Sequence, residues 1–360
     1  MDQNIHLLSF LNSRYDQEPP RLRFTATTPD EWRTWRKTAG ERLRELLTLE
    51  TVEHYAWRPA PAPVVTERVE ESDHVRERVL LPTLEGLWLP CFALIPKAPP
   101  PYPAVLCLHG HGMSKHILAG VPRDDEERRL LEQLRGDYAV KFARAGFLTL
   151  APDAAGYGER AEARPEGPEP SPCQHLFVNA LSLGMSLQGI RVWEFRRALD
   201  YLTARPDVQP DRVAAAGLSM GCEHAMYLAA LDERIRAAVL SCCLRAIIPD
   251  AKRIAWCACL FSPGLFTALD WPDIGAMVAP VPAQLQFGDR DYVPLDLARS
   301  AHALLRQAYA LAGAPAEALE YDEFSGAHEF HFEAALPFVQ RWLGVEGKSR
   351  GIKDARSHTN

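Results

Sequence analysis

Gly217-Leu218-Ser219-Met220-Gly221 decides the fold, because of what stands on either side of it. Before it, Arg212–Ala216 is a short apolar run with the character of a buried strand, and after it Cys222–Leu231 carries Ala225, Leu228 and Ala229 on one helical face. A strand, G-x-S-x-G and a helix make a nucleophile elbow, a sharp turn that holds a serine hydroxyl clear of the sheet. Glycine is required at both ends of the pentapeptide, since a Cβ at either would collide with the neighbouring strand or helix. Ser219 is therefore the candidate nucleophile, and an ordinary glycine-rich turn is the plainer alternative.

Outward from the elbow, strands and helices alternate. Ala104–Leu108, Phe147–Ala151, Ala237–Cys242, Pro282–Phe287 and Ala318–Tyr321 read as strands. Residues 126–145, Leu187–Ala204, Leu295–Leu311 and Glu329–Leu343 read as helices. That alternation predicts a mainly parallel sheet covered on both faces. Val75–Leu81 and Leu87–Ile95 predict an edge hairpin. Thr28-Pro29-Asp30-Glu31 is a capping box opening a helix to about Leu49, with Trp32, Trp35, Leu43, Leu46 and Leu47 as its buried face. Two segments, Glu159–Gly184 and Leu244–Val281, read as long loops hanging over the end of the sheet that carries Ser219. The domain expectation is a helical extension at 1–63 packing on a main catalytic domain at 64–344, with a disordered tail at 345–360.

A serine hydroxyl needs a base, and the base needs an orienting acid. Asp291, in Gly288-Asp289-Arg290-Asp291-Tyr292-Val293-Pro294, and His328, in Gly326-Ala327-His328-Glu329-Phe330, each follow a strand at the end where the elbow sits. The order Ser, Asp, His is that of the α/β-hydrolase fold. Asp289 competes with Asp291 as the acid, and His331 competes with His328 as the base. For a developing oxyanion the expected donors are the backbone N–H of Met220 and of His111, the latter in Leu108-His109-Gly110-His111-Gly112. The His109-x-His111 spacing also occurs in metal sites, but no third ligand is evident, and no metal is expected. Asp153 reads as a cap on the turn that follows it, and His224 as packed.

Together these motifs resemble the α/β-hydrolase superfamily, and within it the dienelactone-hydrolase-like and acetyl xylan esterase-like branch. The residues that carry the resemblance are His109-Gly110-His111-Gly112, the run from Ala151 to Arg160, Arg197-Ala198-Leu199-Asp200-Tyr201-Leu202, Ser262-Pro263-Gly264-Leu265, Asp270–Asp273 and Ala279-Pro280. It implies a cofactor-free esterase with a Ser-His-Asp triad falling on Ser219, His328 and Asp291. Dienelactone hydrolases use a cysteine nucleophile, so Ser219 argues against that activity. Short-chain acyl or acetyl esters, including acetylated small sugars, are the expected substrates. A prolyl-oligopeptidase-like peptidase shares the elbow but usually carries a propeller ahead of it, for which the residues before the first strands are too few. An inactive binding protein is the third reading, and one that generally loses a triad member.

The net charge of −7 gives no electrostatic case for nucleic acid or an anionic membrane, and no apolar stretch is long enough to span a bilayer. Arginine outnumbers lysine 33 to 7, which reads as codon bias or heat tolerance rather than as a binding surface. Cys91, Cys107, Cys242 and Cys243 lie in apolar runs as reduced, buried thiols, and pairing Cys257-Ala258-Cys259 with Cys242-Cys243 in a metal site is the weaker reading. With no signal segment visible, a cytoplasmic setting is expected. The oligomeric state stays open.

Overall fold

The computed structural model describes residues 5–162, 172–252 and 256–345. Among the described residues, nine strands form one sheet: β1 (Val64–Glu70), β2 (His74–Pro82), β3 (Trp88–Pro96), β4 (Tyr102–Leu108), β5 (Leu148–Pro152), β6 (Val208–Leu218), β7 (Ile235–Ser241), β8 (Ala283–Gly288) and β9 (Leu319–Phe324). Their spatial order is β1-β2-β3-β5-β4-β6-β7-β8-β9. The first three strands and the β3–β5 contact are antiparallel, and every pairing from β5 through β4 to β9 is parallel. The expected hairpin is β2–β3, one strand in from the expected edge because β1 pairs outside β2, and the mainly parallel sheet is as predicted.

Period-two alternation explains why both faces are covered. On β4, Ala104, Leu106 and Leu108 join the core that also holds Leu199, Ala225, Ile274 and Leu305, whereas Val105 and Cys107 join an opposite core with Phe142 and Phe338. On β6, Val213 and Ala215 face the first core, and Ala214, Ala216 and Leu218 the second. The helices Leu187–Ala204, Met220–Leu231, Trp271–Val278 and Leu295–Leu311 lie on one side of the sheet, and Tyr138–Arg144 and Phe332–Trp342 on the other.

The N-terminal helix Pro29–Leu46 opens on the predicted capping box. Thr28 Oγ1 accepts from Glu31 N–H at 3.3 Å, and the Glu31 carboxylate accepts from Thr28 N–H at 3.2 Å. Trp32, Leu43, Leu46 and Leu47 are buried in the first core, with Trp35 packed on it. The helix stops at Leu46, short of the expected Leu49, because Thr48 turns left-handed (φ 52°) before the helix Leu49–His54 starts.

Other expectations need correction. The helix expected over 126–145 is two helices, Asp125–Leu134 and Tyr138–Arg144, separated by left-handed Arg135 and by Gly136, whose Cα faces Ile117 and Met113 too closely for a side chain. The segment Glu159–Gly184 contains the helix Pro172–Ser182, and the described residues of Leu244–Val281 contain the α-helices Ile247–Ala251, Leu265–Ala268 and Trp271–Val278 and a 3-10 turn at Ala258–Leu260. Strand β1 was not anticipated, being an exposed edge strand with no apolar alternation to betray it. The expected tail lies, from residue 346 on, outside the described residues. Among the described residues, no helix is long and apolar enough to cross a membrane.

Candidate active site

Ser219 sits between β6 and the helix Met220–Leu231 with φ 58° and ψ −118°, the strained conformation of an elbow. Its N–H donates to Ser241 O on β7 at 2.9 Å, which ties the turn to the next strand. The two flanking glycines are dictated by contact distance. A Cβ on Gly217 would lie 2.1 Å from Gly221 O, and one on Gly221 would lie 1.8 Å from Leu108 O. Leu108 ends β4, so the same close approach brings the loop His109–Gly112 up to Ser219.

Asp291 follows β8 and His328 follows β9, so both lie at the C-terminal ends of parallel strands, as Ser219 does. His328 Nδ1 is 2.9 Å from Asp291 Oδ1 and 3.1 Å from Oδ2, and the Asp291 carboxylate has no exposed surface. Asp289, the competing acid, is turned elsewhere: its Oδ1 accepts from Gly326 N–H at 3.0 Å, and its side chain is nearly half exposed. His331, the competing base, is held by Asp322, Nδ1 to Oδ2 2.6 Å, and stacks on Phe324. His224 is buried as expected, its Nε2 on Gln188 Oε1 at 2.7 Å.

A cavity of about 430 Å³ joins these parts, lined by Ser219 and His328, by Gly110 and His111, by Met113, Leu130, Leu134, Leu218 and Leu260, and by Trp256, Cys257 and Tyr292. That volume suits a small ligand. Tyr292 was missed by sequence reading, although it is the residue next to Asp291. Its hydroxyl lies 3.1 Å from His328 Nε2, and its ring stacks on the imidazole at 4.4 Å. Burial pushes its phenol up to about 12, so the hydroxyl keeps its proton at neutral pH. Cys242, left-handed at φ 58°, places its thiol beside this pair and directs it to Glu329 O at 3.4 Å. Burial raises its pKa well above the ordinary value, so it stays a neutral thiol.

The His109–Gly112 loop splits its two histidines between different tasks. His109 is buried, with Nδ1 2.8 Å from Gly110 O and Nε2 accepting from Ala154 N–H at 2.9 Å. Those partners require the neutral Nδ1–H tautomer, and burial lowers its pKa accordingly. The His109-x-His111 pair therefore does not converge on one point. His111 instead points its Nε2 at Cys173 Sγ, 3.7 Å away, in a group with Cys257 and Cys259. Burial disfavours its charged form, yet the Cys173 and Cys259 sulfurs outweigh that and hold the imidazole up to about 9, so positive charge is favoured at this point. Cys242 and Cys243, considered as partners for Cys257 and Cys259, are not part of that group.

Asp153 does more than cap a turn. It is fully buried, accepts from Glu159 N–H at 2.9 Å and from Lys115 N–H at 2.7 Å, and pairs with the buried Lys115 Nζ at 2.6 Å. A charge pair this deep persists because further hydrogen bonds satisfy it, and losing one partner would strand the other.

Residues 11–337 match the profile of a family described as the Abhydrolase family. "Putative hydrolase YtaP" of Bacillus subtilis (strain 168) is 28% identical over 303 residues, 79% of this chain and 93% of its own. A "putative acetyl xylan esterase (BF1801)" from Bacteroides fragilis NCTC 9343 has a similar structure, with TM-score 0.78 and 21% identity over 94% of this chain and 95% of that one. A glucuronoyl esterase from Solibacter usitatus gives TM-score 0.62 and 16% identity over 91% and 97%. At those identities the two structures speak to the fold alone.

Proposed function

The chain belongs to the Abhydrolase family, and from that premise we propose that it is a serine hydrolase of carboxylic esters, working through an acyl-enzyme on short-chain or acetyl esters. One observation carries the reading: the strained Ser219 and the His328–Asp291 pair meet in one small cavity. That the matched proteins bear hydrolase and esterase names makes esters the substrate class to try first.

Ser219 Oγ attacks the ester carbonyl and passes its proton to His328 Nε2. Asp291 accepts from Nδ1–H through both oxygens, which fixes the tautomer that leaves Nε2 free to accept. The resulting imidazolium is stabilised by a carboxylate shielded from water. The backbone N–H groups of Met220 and His111 take the oxyanion. His328 then protonates the departing alcohol, and a water activated by the same imidazole releases the acid. Before the first step, Tyr292 must give up its contact with Nε2, so its hydroxyl closes the resting site. Met113, Leu130, Leu134 and Leu260 give the cavity an apolar lining suited to a short acyl chain.

The test is hydrolysis of p-nitrophenyl acetate and butyrate by wild type and Ser219→Ala. Acetate preferred, and a fall of about 10³-fold or more in the variant, is the expected outcome. Cleavage of aminoacyl amides with esters untouched would replace this reading with the peptidase one.

A further inference from the structure

His111, Cys173, Cys257 and Cys259 arrive from three separate segments: the loop after β4, the first turn of the helix Pro172–Ser182, and residues 256–260. All four ligand atoms lie within 4.8 Å of one another. Cys173 Sγ is 3.6 Å from Cys257 Sγ, Cys257 Sγ is 3.3 Å from Cys259 Sγ, and Cys173 Sγ is 3.7 Å from His111 Nε2. A tetrahedral zinc with bonds of about 2.3 Å to sulfur and about 2.0 Å to nitrogen separates its ligands by roughly 3.5–3.8 Å. The Cys173–Cys257 and Cys173–His111 spacings fall in that range and the Cys257–Cys259 spacing is slightly shorter, whereas a disulfide would draw one pair of sulfurs to about 2 Å.

We propose that these four residues bind one zinc ion in a closed Cys₃His site that builds a wall of the catalytic cavity. Binding displaces the thiol protons, and the Nε2 proton of His111 where the imidazole is charged, to solvent, and leaves a centre of net charge −1. The surroundings suit that charge. Arg191 is fully buried, and its guanidinium donates to Cys259 O at 3.1 Å and Ala155 O at 2.9 Å. Among the described residues it joins no ion pair, and its further contact is to Met220 Sδ at 3.5 Å, so the buried cation lacks the close counter-charge that such groups ordinarily have. A zinc centre of charge −1 supplies it. The Tyr157 hydroxyl, 3.5 Å from Cys259 Sγ, adds an outer hydrogen bond of the kind that orients metal ligands.

With four protein ligands the ion has no open position, so it does not activate water. Its effect is to lock the Pro172–Ser182 helix and the 256–260 segment onto the loop that carries His111. His111 and Cys257 both line the cavity with Ser219. The link to catalysis rests on the esterase reading, but the metal site does not.

The full chain, produced with zinc in the medium and purified without a metal-affinity step, is assayed by elemental mass spectrometry. About one zinc per chain is expected in wild type and in Ser219→Ala, falling to about a tenth or less in Cys173→Ser and Cys257→Ser, with Cys91→Ala unaffected. Because a ligand variant could misfold, wild type is also stripped and refilled with cobalt(II). The intense visible bands of tetrahedral, thiolate-bound cobalt are then expected, with proton release on binding. Wild type that takes up neither zinc nor cobalt overturns the proposal, as does metal retained in the Cys173→Ser and Cys257→Ser proteins. Zinc content in Ser219→Ala separates the two readings, since a dead enzyme that still holds its zinc leaves this one standing.

Discussion

Replacing Asp291 by Asn changes one oxygen for an amide and little else in the structure, yet it should nearly abolish ester hydrolysis. Both Asp291 oxygens face His328 Nδ1, at 2.9 and 3.1 Å, so an Asn can satisfy the ring only by accepting from Nδ1–H through its one remaining oxygen, or by donating to a deprotonated Nδ1. Oδ1 also accepts from Val293 N–H at 3.1 Å, which keeps the amide oxygen there and sets NH₂ in the place of Oδ2, 3.1 Å from Nδ1, where it donates to the ring. A donated hydrogen bond then fixes the proton on Nε2, the atom that must accept from Ser219. Catalysis through the wrong tautomer falls by about 10³–10⁴-fold in kcat, or roughly 4–5.5 kcal/mol. Asp289→Asn is the matched control. It keeps an amide oxygen for Gly326 N–H and removes only an exposed ion pair with Arg290 at 3.3 Å, so activity should stay within about threefold. Both variants are assayed on p-nitrophenyl acetate from pH 6 to 9, with thermal unfolding to confirm the fold. Asp291→Asn activity within tenfold of wild type, or an equal loss in Asp289→Asn, would refute the assignment.

Other predictions follow from named contacts. Tyr292→Phe removes the hydroxyl that occupies His328 Nε2, so kcat/KM should rise about two- to tenfold, the worth of one exchanged hydrogen bond; a fall beyond tenfold in steady-state assays would place the phenol in the transition state instead. Gly221→Ala drives a Cβ to 1.8 Å from Leu108 O, where backbone must move, and should lower stability by about 3 kcal/mol or more in a denaturant titration. Asp270 is pushed by burial, with Asp273 adding to it, from 3.8 to about 6. Its folded form thus holds the proton more tightly, so its contribution is complete below about pH 4 and fades as pH rises through about 6, by up to about 3 kcal/mol. Asp270→Asn keeps an acceptor for the Ile247 and Trp271 N–H groups, so its stability relative to wild type should improve from pH 4 to 8. A difference that stays flat across that range would contradict the shift.

Legibility in the sequence followed how locally each feature is encoded. The elbow was readable because strand, turn and helix are contiguous and the glycines are forced by contacts within a few residues of Ser219 or with β4. The choice between Asp289 and Asp291 was not, since two positions in one loop differ only in which way the backbone turns after Gly288. Tyr292 could have been suspected as the neighbour of the acid, but its reach to His328 depends on how the loops after β8 and β9 interlock, through Arg290 N–H to Gly326 O at 2.9 Å. The cysteine–histidine group showed only in fragments, as His109-x-His111 and as Cys257-Ala258-Cys259. Its members come from positions 111, 173, 257 and 259, three of them inside segments read as loops. The helix Pro172–Ser182 was hidden behind a Pro-, Glu- and Gly-rich approach, and β1 behind its exposed residues.

The central claim is that Ser219 becomes acylated. The most direct measurement is to treat the protein with a fluorophosphonate, digest it, and locate the adduct by mass spectrometry. The account predicts about one adduct per chain, on Ser219, blocked beforehand by a slowly hydrolysed ester and absent in Ser219→Ala. Labelling at another residue, or ester hydrolysis that continues in Ser219→Ala, would contradict it.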